Sequence, residues 1–298
     1  MIFSSPSPKN HLVVVMIGIL NINKESGMSS AAVVSKVRRI LGTKQVGHFG
    51  TLDPQGTGVL LIGVGKATRL MEYFLRKDKE YEADFAFGYE TDTLDGDGEV
   101  VAKAEKIPTE EELREAIKNF VGELDQIPPQ YSAKSVGGVR AYDIARKGGS
   151  VELKSGRVRV DSFKLLRKVS GNVWRFKIAC SSGTYIRSLC RDLAASVGSK
   201  ATMTSIDRTR AGDFLVSEAV TIGELEKLGV KALIPVERAL EKLPKKVFED
   251  SLYEKIAQGV KIEIEKTEQP FLVYCKTELF GIGIEEGGRL RIPTYLRE

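Results

Sequence analysis

The chain has 298 residues, 42% hydrophobic and 29% charged with both signs interspersed, enough for one large core or a main core with a smaller partner and unlike a disordered tail. A formal net charge of +5 permits a nucleic-acid partner without establishing one. Three cysteines (Cys180, Cys190 and Cys275) with no CxxC pair give no disulfide framework and fit a reducing cytoplasm, and two histidines, His11 and His48, nearly exclude a multi-histidine metal site.

Leu12 to Leu20 is an uncharged run that lacks a small-x-small cleavage site and is too short to span a bilayer. It reads as the first strand, with residues 1–15 an N-terminal extension and Met16 the natural start. Ser29 to Leu41 reads as a helix: Ser29 or Ser30 caps it, Val33, Val34, Val37 and Ile40 share a face, and Gly42 stops it. The glycine-rich stretch Gly47–Gly65 follows, then a helix around Ala67–Arg76. Tyr81, Ala83, Phe85 and Phe87 alternate with Glu80, Glu82 and Asp84, the period of a half-buried strand, and Glu99–Ala102 is expected to return as its partner after a turn at Asp95-Gly96-Asp97-Gly98.

Thr109 and Glu112 have capping-box spacing, and Leu113, Ala116, Ile117, Phe120 and Val121 follow at helical spacing up to Gly122. Residues 125–150, with Pro128-Pro129 and Gly137-Gly138, read as a long loop. From Arg140 to Arg159 there are six basic and two acidic residues, either a solvated loop or a grip on an RNA backbone. Trp174, Phe176 and Ile178 mark a strand, and Tyr185–Val197 a helix. Beyond about residue 215 come a helical piece at Thr221–Leu228 and strand-like runs at Val260–Ile264, Phe271–Cys275 and Leu279–Ile284, a small β-rich C-terminal domain. Strands and helices alternate without regular βαβ spacing, which indicates an α+β fold.

The glycine-rich stretch is not a nucleotide loop. A P-loop ending at Gly65-Lys66 needs Gly at position 60, which is Leu, and Ser or Thr at 67, which is Ala. GxGxxG fails at both candidate places, because positions 61 and 68 are Leu and Thr. Asp95-Gly96-Asp97-Gly98-Glu99 lacks the glycine of a calcium loop, Val100 standing there, so a hairpin turn is expected. What remains is Gly47-His48-Phe49-Gly50-Thr51-Leu52-Asp53-Pro54. Flanking glycines permit tight approaches and Pro54 biases Asp53 away from helix, so Asp53 is either an ordinary Asp-Pro turn or a carboxylate held on a rigid loop. In the Tyr185 helix, Arg187 and Arg191 are neighbours on one face near its N-terminal half, where like charge and the helix dipole both disfavour them. They are either solvated or partnered by an anion.

At these segments the chain resembles the TruB-type tRNA pseudouridine synthases, also called tRNA pseudouridine-55 synthases. The resemblance rests on Gly47–Pro54, Gly58-Val59-Leu60, Gly65-Lys66-Ala67-Thr68, Lys79-Glu80-Tyr81, Pro129–Lys134, Gly138–Tyr142, Gly183–Leu189 and Arg208–Gly212, in order from about residue 17 to the end and weakest after 215. Departures are Glu25 where the family usually has Pro after Lys24, Gly56 where Ala is common, and Asp207 where a second Arg often precedes Arg208.

The resemblance implies a pseudouridine synthase fold with a mixed, mainly antiparallel sheet over residues 16–235, a T-arm-binding insertion at about 125–155, and a PUA-like domain at 236–298. It implies isomerisation of the uridine at position 55 of the tRNA T-loop by base flipping, with Asp53 catalytic and Arg187 paired to it and lowering its pKa. Tyr81 would stack on the base and take part in removing the C5 proton, Tyr185 and Ile206 would line the pocket, and His48 would contact RNA. Lys24 would meet phosphate or support the site. Lys134, Arg140, Tyr142, Arg146, Arg208 and Arg210 would bind RNA. No cofactor, metal, membrane or protein partner is implied, and the expected state is a cytoplasmic monomer acting on tRNA. The alternatives are a relative that works with a guide RNA, against which the insertion argues, and a non-catalytic RNA-folding protein, against which the retention of Asp53, Tyr81 and Arg187 together argues.

Overall fold

In a computed structural model, which describes residues 16–132, 134–136, 138–140, 144–145, 149 and 151–297, most of the chain is organised on one mixed, mainly antiparallel sheet of nine strands. The first half contributes β1 (Gly18–Lys24), α1 (Ser30–Leu41), β2 (Val46–His48), β3 (Thr57–Val64), α2 (Met71–Leu75), β4 (Lys79–Phe87) and a separate small hairpin, β5 (Tyr89–Thr91) with β6 (Val100–Lys103). Next come α3 (Glu110–Ala116), β7 (Gly122–Gln126), the short pair β8 (Ser135–Val136) and β9 (Val139–Arg140), and the long β10 (Gly156–Ser170). Then follow β11 (Val173–Cys180), α4 (Ile186–Ser196), β12 (Ala201–Ala211) and β13 (Phe214–Leu215). The order across the sheet is β1-β3-β12-β4-β11-β10-β7, with β2 on β3 and β13 on β12. β3 and β12 pair in parallel; the other pairs are antiparallel.

Local chemistry accounts for these elements. Tyr81, Ala83, Phe85 and Phe87 are buried on one face of β4, as their alternation predicts. On that face Phe85 and Phe176 meet at 4.8 Å between ring centroids, and α1, α4 and α5 (Ile222–Leu228) add Val33, Val37, Leu189, Leu193 and Leu225 to the same core. The Ser29 side chain caps α1 by accepting from Ala32 N, and Gly42, at φ 64°, ends the helix. Thr109 and Glu112 form the predicted capping box, yet the α-helix stops at Ala116 and one 3₁₀ turn, Ile117–Phe120, carries the chain to β7.

Several expectations are corrected. The first strand starts at Gly18 and runs on through Asn21 and Lys24, both buried, while residues 1–15 lie outside the described residues. The predicted Ala67–Arg76 helix is a 3₁₀ turn, Gly65–Leu70, followed by the short α2. The Glu99–Ala102 run pairs with β5, because both neighbours of β4 are already supplied by β11 and β12. Arg157 and Arg159 end no loop: they stand on β10, where Val158, Val160, Phe163 and Leu165 turn inward, and they pair with Glu123, Asp125, Asp78 and Asp161.

The C-terminal part is a small β domain. After α6 (Val236–Ala239) come β14 (Lys245–Phe248), α7 (Tyr253–Ala257), β15 (Phe271–Cys275), β16 (Glu278–Glu286) and β17 (Arg289–Tyr295), in the sheet order β14-β15-β16-β17. Val260–Ile264 is not a strand; it makes a single bridge, Glu263 to Arg289. The outer strand is instead β17, whose edge position tolerates Pro293. No helix among the described residues is long and apolar enough to cross a membrane.

Candidate active site

Asp53 lies in the loop between β2 and β3, and this loop is pinned from below. Ser30, buried in the first turn of α1, donates through Oγ to Leu52 O at 3.0 Å and accepts from Leu52 N at 2.9 Å. Lys24, at the end of β1 and 1% exposed, donates from Nζ to Glu25 O at 3.0 Å, Pro54 O at 2.8 Å and Gly56 O at 2.5 Å. Gly56 N donates to Asp53 O at 3.0 Å, which closes the Asp-Pro turn that the sequence shows. Burial pushes the Lys24 ammonium down to about 8, with Asp53 pulling it up and Arg208 pushing it down.

From above, α4 delivers Arg187. Its side chain is 8% exposed and its Nη2 stands 3.1 Å from Asp53 Oδ2, while Nη1 stands 3.2 Å from Asp95 Oδ2. Nη1 also donates to Thr93 O and Nη2 to Tyr131 O, each at 3.0 Å. Gln126 holds the start of that helix by accepting from Tyr185 N at 2.8 Å and donating to Tyr185 O at 3.1 Å. Asp53 is half-open to a cleft of about 520 Å³ that is lined also by Thr57, Asp95, Asp97, Ile206 and Asp207. The Asp53 carboxyl is raised above the ordinary aspartate value: desolvation dominates, Arg187 opposes it, and Asp95 adds to it. The net lowering expected from Arg187 is therefore reversed, since one guanidinium shared by two carboxylates does not offset the loss of water.

The other predicted site residues separate into groups. Ile206 lines the cleft with Asp53. Tyr81 is buried behind it on β4, and burial raises its phenol against the pull of Arg208. His48 is half-buried on β2; burial first and Arg208 second lower its pKa, and its Nδ1 has no hydrogen-bond partner. Lys24 is buried against carbonyls, where it supports the loop and cannot present itself to phosphate. Arg208, which the resemblance places among the RNA-binding residues, is 3% exposed. Arg210 donates to Gly212 O at 3.0 Å, and Lys134 is exposed. Of Arg140 only the backbone is described, and Tyr142 and Arg146 lie outside the described residues. Arg191 pairs with Asp192 at 2.8 Å and donates to Ile127 O, so of the two helix arginines only Arg187 meets the cleft.

Sequence reasoning missed Asp95, Gln126 and Tyr131. Asp95 had a signal, an acidic turn with no calcium-loop glycine, but nothing local tells which cation such a turn will meet. Among the described residues no group of three or more His, Cys, Asp or Glu side chains is arranged to hold a metal ion.

The fold is that of pseudouridine synthases. It matches a chain of "Crystal Structure of a Cbf5-Nop10-Gar1 Complex" with a TM-score of 0.73 at 24% identity, over 95% of this chain and 86% of that one. It matches a chain of "Structure of H/ACA RNP bound to a substrate RNA containing 2'-deoxyuridine" with a TM-score of 0.72 at 23% identity, with the same coverage. Likeness at such identity concerns the fold alone; sequence narrows the class. Residues 38–186 match the TruB family pseudouridylate synthase (N terminal domain). The tRNA pseudouridine synthase B of Bacillus pumilus (strain SAFR-032) is 40% identical over 253 residues, 81% of this chain and 82% of that protein. The protein of the same name from Lactococcus lactis subsp. lactis (strain IL1403) is 37% identical over 298 residues, 93% of this chain and 90% of its own length. The chain belongs to the TruB family of pseudouridine synthases, and it is an isomerase.

Proposed function

We propose that this chain converts a uridine of tRNA to pseudouridine at position 55 of the T-loop, with Asp53 as the catalytic residue. The observation that carries the reading is the ion pair between Asp53, on the wall of a cleft, and the buried Arg187. The relatives' names support tRNA as the substrate.

The chemistry follows from the placement. A uridine stacked in folded RNA must leave the stack to reach the cleft, at a cost of a few kcal/mol that the pocket offsets. The Asp53 carboxylate attacks the flipped uridine or its ribose, the C1′–N1 bond opens, the base turns, C1′ bonds to C5, the bond to Asp53 breaks and frees the carboxylate, and the C5 proton is removed while N1 gains one. Arg187 orients the carboxylate and keeps it charged against desolvation. Tyr81 supplies the stacking surface and takes part in removing the C5 proton, Tyr185 and Ile206 line the pocket, and His48 contacts the RNA near the flipped nucleotide. Residues 16–235 form the catalytic domain, about 125–155 its T-arm insertion, whose Lys134, Arg140, Tyr142 and Arg146 bind RNA together with Arg210 of β12, and 236–298 a PUA-like domain. The chain acts as a cytoplasmic monomer without a protein or guide-RNA partner.

The test is pseudouridine mapping in a T-arm RNA treated with purified protein and no guide. Wild type is expected to modify the one T-loop uridine and Asp53→Asn none, with RNA affinity retained. Comparable turnover by Asp53→Asn would sink the mechanism, and dependence on an added guide would move the chain to the guide-directed class.

A further inference from the structure

β12 closes onto β3 in the parallel pairing of the main sheet, with Arg208 opposite Gly58. Gly58 has φ 91°, and a Cβ there would lie 2.4 Å from the Arg208 carbonyl oxygen, so the absence of a side chain is what admits β12 to this distance. The approach carries the Arg208 side chain beneath the Asp53 loop. Its Nε donates to Val59 O at 2.7 Å, Nη1 to Thr51 O at 3.4 Å and Nη2 to Gly50 O at 3.4 Å. It also hydrogen-bonds the side chain of Tyr81, its cross-strand partner on β4.

None of these acceptors is a carboxylate. A buried cation that rests on neutral dipoles alone is stable only where those dipoles are held in place around it. A rigid, planar fork with five donors spread over three nitrogens spans a strand, a loop and a phenol, whereas a lysine donates from a single nitrogen. With most of its five N–H donors engaged in this way and only 3% exposed, the guanidinium has almost no surface to offer a phosphate.

We propose that Arg208 is a positioning residue of the synthase reaction: its buried guanidinium ties Gly50, Thr51 and the Tyr81 hydroxyl to β3, sets the height of Asp53 in the cleft, and touches no RNA. The inference rests on Asp53 being the reacting group. The titratable groups on which Arg208 acts are Lys24 from β1, His48 from β2, and Lys79 and Tyr81 from β4. Its charge contributes to the lowering of Lys24, His48 and Lys79 alike, in keeping with a cation that no carboxylate neutralises.

The experiment uses the full chain with His11→Asn, which leaves His48 the only histidine, and compares Arg208→Lys and Arg208→Met. Three quantities are read: affinity for a T-arm RNA across a salt series, single-turnover pseudouridine formation at saturating RNA, and the His48 titration by NMR. Both variants are expected to lose single-turnover rate on the order of 100-fold through misplacement of Asp53, with affinity and salt slope unchanged. The His48 pKa is expected to rise in Arg208→Met and to stay low in Arg208→Lys, which keeps the charge. An RNA contact would behave in the opposite way: weaker affinity, a salt slope smaller by about one, and a near-normal rate at saturation. That result, or an unmoved His48 in Arg208→Met, overturns the proposal. Should Arg208→Met fail to fold, the rate and affinity of Arg208→Lys decide alone. Asp53→Asn is assayed in parallel. If it still forms pseudouridine, the reading of Asp53 fails, while the His48 titration and the salt series still report whether Arg208 lies under the loop or on the RNA.

Discussion

The Asp53 loop lies between two buried arginines, and their surroundings differ in kind. Arg187, above, meets the carboxylates of Asp53 and Asp95, both of which line the cleft, together with two backbone carbonyls. Arg208, below, meets carbonyls and a phenol inside the sheet. The upper set is assembled where strands have ended, from the Asp53 loop, the turn after β5, the segment after β7 and the first turn of α4. The lower set is assembled from adjacent strands and the loop that joins two of them. The upper arginine shares its charge with groups that titrate, so it governs the charge state of the site. The lower one rests on neutral dipoles, backbone carbonyls and a phenol that burial keeps protonated, so it governs shape. Lys24 belongs with the lower set, since its three acceptors are also carbonyls.

The contrast can be broken at several points. Arg187→Ala should cost the most, about 3–5 kcal/mol of transition-state stabilisation, the scale of breaking a buried pair. Turnover should therefore fall by roughly two to four orders of magnitude, and the acidic limb of the pH–rate profile should move to higher pH because a group that lowers the Asp53 pKa is gone. Near-normal turnover would remove the ion pair from the mechanism.

Lys24→Met addresses the lower set by stability. The folded Lys24 ammonium titrates at about 8 and the unfolded one at 10.5. Below pH 8 the lysine is charged in both states and its burial penalty is carried in full. Between these values the unfolded chain holds the extra proton, so stability rises with pH. The unfolding free energy of wild type relative to Lys24→Met should grow by about 3 kcal/mol across that window. The same comparison cancels Lys79, which is also held down to about 8. A flat difference would show that Lys24 keeps its ordinary pKa.

Asp95→Asn sharpens the upper set. It removes a like charge that raises Asp53, so the acidic limb should shift to lower pH, opposite to Arg187→Ala. Rate at neutral pH should fall about tenfold as Arg187 loses a charged anchor. Equal shifts in both variants would refute the shared-cation arrangement. Tyr131→Phe should have the smallest effect. It keeps the carbonyl that Arg187 uses and deletes the hydroxyl bond to Asp92 Oδ2 at 3.2 Å, whose partner oxygen accepts from Glu99 N and closes the loop that presents Asp95. Loss of one such bond is worth about 0.5–1.5 kcal/mol, a several-fold drop in turnover with RNA affinity retained. A larger change in affinity than in turnover would mean that Tyr131 contacts the RNA directly.

Much of the fold was legible. The α1 face, the capping box at Thr109 and the alternation of β4 are properties of ten or so consecutive residues, and each is present. Two of the longest strands were less so. β12 reads ATMTSIDRTRA, with few apolar residues and no alternation, because buried positions on it are held by Thr202 and Arg208 as well as by Ala201, Met203 and Ala211. β10 begins inside a run of basic residues whose charges are balanced by acids on β7, β10 itself and the turn before β4. A charge run looks like a loop until its partners are known.

By itself the sequence determined which residue types stand where: a carboxylate in a glycine-flanked turn, an arginine near the start of a helix, and a tyrosine on an apolar strand face. It also determined the ordered motifs that place the chain in its family. Only the tertiary structure decided how these groups are charged and held. Asp53 and Arg187 are 134 positions apart, Arg187 acquires Asp95 as a second partner, and Arg208, grouped by resemblance with the RNA-binding residues, lies inward. The physical reason is that a side chain's type is local, whereas its solvation and its counter-charges are set by whatever other strands and loops are brought against it.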